Sequence, residues 1–221
     1  DYYFQYDNPE FRALMEELRP ARTSSGLAVA LGAGLVLALA EQRLAILAWV
    51  GLLVGGIGAG AYAARHDERP VGGVGALVGL AAITGFLTTT AALSEIVLLL
   101  PGLVGLGVLG AGLAPVRGGR ARLQVKAGAA GLFGTVVLAG LFRSGEPSVV
   151  LLGGVGAVVA WDAGEHAIGV GEQLGPAAST WRCELPHVVA TALVGRPRTV
   201  RLLPTRGRGP AYAHLPALDV V

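Results

Sequence analysis

The strongest constraint on this chain is where its charges are absent. Between residues 23 and 161 every charged side chain falls in one of five short groups. The six intervals left over, 23–40, 44–64, 70–94, 96–116, 127–142 and 147–161, contain no Asp, Glu, Lys or Arg. A helix rising about 1.5 Å per residue needs about 20 residues to cross a hydrocarbon layer of about 30 Å. The second, third and fourth intervals reach that length outright. The first and fifth fall somewhat short, and the sixth reaches it by taking in the apolar residues of 162–171. Each unsatisfied backbone group in lipid costs on the order of several kcal/mol, so uncharged stretches of this length must be helical despite their many glycines. A barrel would need polar residues in alternation, and these are missing.

Composition agrees. Hydrophobic residues make up 53% of the 221 and charged residues only 14%, with a mean hydropathy of +0.61, whereas a soluble domain carries about 25% charged residues. The expected fold is therefore all-α, an integral membrane bundle of about six transmembrane helices, multi-pass in the cell membrane and surrounded by membrane lipid.

Orientation follows from Lys and Arg. Placed on alternate sides of six helices, 15 of the 17 basic residues collect with the termini and only Arg43 and Arg143 fall opposite. Without the basic residues from Arg182 onward the division is still 9 against 2. The positive-inside rule then puts both ends in the cytoplasm. The net charge of +2 and isoelectric point near 9.0 reflect these orienting arginines, and no nucleic-acid partner is expected.

The chain divides into a cytoplasmic N-terminal segment (1–22), a transmembrane bundle (23–175) and a cytoplasmic tail (176–221). In the first segment Asn8 is placed to cap an expected short amphipathic helix, with Pro9 at its first position and Phe11, Leu14, Met15 and Leu18 at helical spacing, suited to lie on the membrane surface. The rival reading makes Met15 the natural start. Residues 19–40 also admit a signal-peptide reading, with arginines before an apolar stretch that closes on Ala38-Leu39-Ala40. Cleavage there would leave five helices in the same orientation. At the far end an apolar run over 185–195 is too short to cross. Residues 196–221, rich in Arg and Pro, show no period and are expected to be irregular or disordered. A truncated or frame-shifted gene end would produce the same change.

Among the 35 glycines, Gly51/Gly55, Gly56/Gly60 and Gly75/Gly79 are spaced four apart, the pattern that lets membrane helices approach closely, and they are expected at helix contacts. Gly169, Gly171 and Gly175 do not form a dinucleotide fingerprint, since the third is misplaced and no strand precedes them. Pro101 should kink or break the fourth helix near its outer end. Thr88, Thr89 and Thr90 can bond to the preceding turn and need not mark a pore.

The one stretch with chemical content is 161–175. Continued as a helix it places Asp162, Glu165, His166, Gly169, Glu172 and Gln173 on one face and Ala163, Ala167, Val170 and Leu174 on the other. Three readings stay open. The face is a water-boundary extension of the sixth helix with Trp161 as interfacial anchor, or a contact for a protein partner at the cytoplasmic end of that helix, or a metal or proton site. No catalytic constellation or cofactor is expected. The lone Cys183 rules out an intrachain disulfide and a Cys-based metal site, and one His in this stretch gives zinc hydrolysis little support.

The run Trp161-Asp162-x-Gly164-Glu165-x-Ala167-Ile168-Gly169-x-Gly171-Glu172-Gln173-Leu174-Gly175, followed by Arg182-x-Glu184-Leu185-x-His187, resembles an uncharacterised family of haloarchaeal multi-pass membrane proteins. The opening Pro20-x-Arg22-x-Ser24-Ser25 is similar as well. The resemblance covers most of the membrane region and implies no known activity. It does imply genes near MoxR-type AAA ATPases and von Willebrand or transglutaminase-like proteins. It also implies one or two further helices after His187, where this chain departs. The expected role is a non-enzymatic component or scaffold of a membrane complex. A small-solute transporter or channel is the alternative, and an intramembrane enzyme comes third.

Overall fold

The computed structural model describes residues 20–41, 43–66, 68–90, 92–114, 120–142 and 147–174. They form six helices: α1 (Arg22–Leu39), α2 (Arg43–His66), α3 (Arg69–Thr89), α4 (Leu93–Leu113), α5 (Ala121–Phe142) and α6 (Pro147–Leu174). All six are long and apolar enough to cross a membrane. The expected surface helix over 8–18 and the tail from 176 onward, including Arg182, lie outside the described residues.

Two junctions depart most from the uncharged runs, the one between α3 and α4 and the start of α5. The third run extends to Ser94, but α3 ends at Thr89 and α4 begins at Leu93. Glu95 therefore lies in the first turn of α4 rather than in a connection. It is 3% exposed, and its Oε1 accepts the backbone N–H of Glu41 at 3.2 Å. The fifth helix starts at Ala121 and takes in Arg122, Gln124 and Lys126. Long basic side chains at a helix end can lay their stems on apolar surface while their heads stay at the polar boundary. Pro101 sits inside α4, which runs through it unbroken from Leu93 to Leu113.

α4 is the central helix. Leu98, Leu99, Leu103 and Leu106 are fully buried, packed with Val36 of α1, Val50 and Leu53 of α2, Phe86 of α3, and Leu132 and Val136 of α5, while the buried Leu109 packs in a second cluster with Ala28 of α1 and Val125 of α5. The most extensive packing joins α4 to α5, then α2 to α3, then α1 to α6. The α2–α3 hairpin is the outer layer. Leu44, Leu47, Leu52, Leu77 and Leu80 point outward, an apolar surface suited to lipid and hard to keep in water.

Glycines set how close the helices come. On α4 and α5 a Cβ added to Gly105 would lie 2.6 Å from the Gly128 carbonyl oxygen, and one on Gly131 would lie 2.7 Å from that of Pro101. The α2–α3 crossing is built the same way. A Cβ on Gly56 would lie 2.6 Å from Gly75 O, and one on Gly75 would lie 2.7 Å from Gly56 O and 2.8 Å from Gly60 N. Gly79 is more loosely placed, 3.6 Å from Leu53 Cδ1. Gly51 and Gly55 correct the expectation, since both are exposed and face open space. Five residues turn a helix by about 500°, so Gly51 and Gly56 stand about 140° apart and cannot both face α3.

Candidate functional site

The polar stretch of α6 is held in place by its apolar side. Ala163, Ala167, Ile168 and Val170 are buried, so the helix keeps one stripe against the bundle while the acids stand off it. Gly164 lets α6 approach α5, because a Cβ there would meet Val125 Cγ1 at 2.8 Å. The start of α1 closes on the same region, where the Ala21 N–H donates to the Ala167 carbonyl at 2.9 Å.

This approach brings Arg122 of α5 against two of the acids. Its Nη1 donates to Glu165 Oε2 at 3.0 Å, while Nη2 and Nε donate to Glu172 Oε2 and Oε1 at 2.5 and 3.3 Å. The contact to Glu172 is a two-point fork, the geometry in which guanidinium and carboxylate match best. The Arg122 side chain is 47% exposed, against 21% for Glu165 and 36% for Glu172, so the pairing sits at the polar edge. Asp162 and Gln173 are exposed on the same helix, and His166 is half-buried. The other oxygen of Glu165, Oε1, and Gln124 Oε1 are buried with no hydrogen-bond partner among the described residues. Among the described residues no three His, Cys, Asp or Glu side chains stand close enough to hold a metal ion.

Sequence reasoning finds the acids but not Arg122, which falls in a charged group between two uncharged runs. A signal was present. The connection around Ser144 is short, so α5 and α6 must be antiparallel neighbours. Arg122 stands 22 residues before Ser144 and His166 stands 22 after it, which puts Arg122 level with the acidic face.

Residues 69–200, more than half of the chain, match the profile of a family of unknown function, DUF7519. The chain belongs to this family. The DUF7519 region takes in α3 to α6, and with them the α4–α5 crossing and the Arg122–Glu165–Glu172 bridge; α1 and α2 precede it. No curated protein and no solved structure matches the chain.

Proposed function

We propose that this DUF7519 protein is a non-enzymatic component of a membrane complex that docks a protein partner on the projecting end of α6. The observation that carries this reading is the length and bracing of that helix. At 28 residues it spans about 42 Å, about 12 Å more than the hydrocarbon layer, so about two turns stand in the headgroup region or beyond. Arg122 ties those turns to α5 through Glu172, which makes a rigid post with Glu172 and Gln173 on its exposed side. A preformed surface loses less entropy on binding than a floppy one. The glycine-mediated packing of α4 against α5 suits a structural role.

The test uses charge reversal with rescue. Glu172→Lys should abolish copurification of the protein retained by the wild type from native membranes. Adding Arg122→Glu should restore the internal pair and the thermal midpoint, and should leave copurification lost. Retention in every folded variant would end the docking reading. Purified wild type should carry no stoichiometric metal; one transition metal per chain that disappears in His166→Ala would favour a metal site instead. The transport alternative differs in predicting solute flux in proteoliposomes above that of empty vesicles.

A further inference from the structure

We infer that the cleft between α1, α2 and α4 is a binding site for one anionic phospholipid, with its phosphate at Arg22 and Arg65 and an acyl chain along the groove. The cleft holds about 300 Å³ and is lined by Arg22, Ser25 and Val29 of α1, Val54, Ile57 and Arg65 of α2, and the end of α4 at Gly110 and Leu113. Both arginines stand at the same end, because α1 begins at Arg22 and the antiparallel α2 ends just past Arg65.

Depth argues for a lipid. The lining runs from Arg22 to Ala33 on α1 and from Arg65 back to Val54 on α2. Each covers 12 residues, a rise of about 16 Å, close to half of a hydrocarbon layer of about 30 Å. The site thus has a cationic mouth at the membrane boundary and an apolar trough one leaflet deep. The floor is closed where Ile57 packs on Gly110, since a Cβ there would meet Ile57 Cδ1 at 2.6 Å. Gly26 and Gly58 have open space where a side chain would be, so the groove comes from small residues on both walls.

A second observation points to a ligand at the mouth. Ser25 is 9% exposed, lines the cleft, and its hydroxyl has no hydrogen-bond partner among the described residues. A buried hydroxyl without a partner is unfavourable, and the Ser25 O–H could donate a hydrogen bond to a phosphodiester oxygen. Guanidinium groups bind phosphate with strong charge-assisted bonds, and basic pockets between membrane helices are suited to anionic headgroups. The apolar trough distinguishes a lipid from free phosphate, which would leave the Val29, Val54 and Ile57 surface unused.

The test measures lipid retention by native mass spectrometry and thermal midpoint, on protein exchanged into phosphatidylglycerol or phosphatidylcholine. Wild type should keep one phosphatidylglycerol in preference to phosphatidylcholine and should be stabilised by it. Arg22→Gln and Arg65→Gln should each weaken phosphatidylglycerol binding roughly fivefold, and the pair roughly 25-fold. Gly58→Leu, which fills the groove and keeps both charges, should lower retention of lipid while the protein stays folded. Equal retention of the two lipids by wild type, undiminished retention in Gly58→Leu, or equal stabilisation by inorganic phosphate would each overturn the proposal.

Discussion

Arg122 and Gly128 show two different ways a single residue can hold this bundle. Arg122 makes three hydrogen bonds to Glu165 and Glu172, but it is 47% exposed. Ion pairs in such surroundings contribute about 0.2–1 kcal/mol each. Arg122→Ala should therefore cost less than about 2 kcal/mol and leave the helices assembled. At Gly128 an added Cβ would lie 2.5 Å from the Leu109 backbone nitrogen, and a backbone cannot step aside as a flexible side chain can. Gly128→Leu should cost about 1–3 kcal/mol or more through overpacking, whereas Gly51→Leu, which enters open space, should cost nothing measurable. Unfolding midpoints in detergent check all three. Equal midpoints for the Gly128 and Gly51 variants would remove the packing account.

At the scale of elements the bundle is two glycine-welded hairpins, α2–α3 and α4–α5, with α1 and α6 packed on the second. The first hairpin sits on the outside, so a break there should stay local. Gly56→Leu or Gly75→Leu should speed backbone hydrogen exchange in α2 and α3 and leave α4 and α5 protected; exchange rising throughout would show that the hairpins are one cooperative unit. The helices themselves were legible from the uncharged runs, because lipid leaves the backbone little alternative. Their ends were less so. A charge marks a break in the uncharged pattern, yet Glu95 is buried within a helix because the Glu41 N–H gives its carboxylate a donor, and Arg122 lies in α5 with its partners on α6. Thr88 and Thr89 behave as their composition suggests, donating to carbonyls of the preceding turn at Thr84 and Gly85. The glycine pairs were legible only as candidates. Spacing of four identifies a smooth face, and only the tertiary arrangement decides whether that face meets a neighbour, as Gly56 does, or open space, as Gly55 does.

For the whole molecule, the described helices divide the polar groups between two ends. Arg22, Arg65, Arg122 and the acids of α6 stand at one end, and Glu41 with Glu95 at the other. The two ends are built differently. One gathers charged side chains in pairs and at the mouth of a cleft, while at the other the buried Glu95 carboxylate accepts the backbone N–H of the exposed Glu41. That asymmetry is the one the positive-inside rule reads, since Lys and Arg are held back from translocation far more than Asp and Glu. It also fits the lipid site, because anionic headgroups are concentrated in the cytoplasmic leaflet. The expected orientation is thus both termini in the cytoplasm. In a Cys183→Ser background, Arg43→Cys and Arg143→Cys should react with an impermeant maleimide in intact cells, and Arg120→Cys should react only after the membrane is opened. The reverse pattern would place the arginine-rich end outside. It would also detach the lipid proposal from the leaflet where its ligand is most abundant, while leaving the helix packing untouched, because the glycine crossings do not depend on which way the bundle faces.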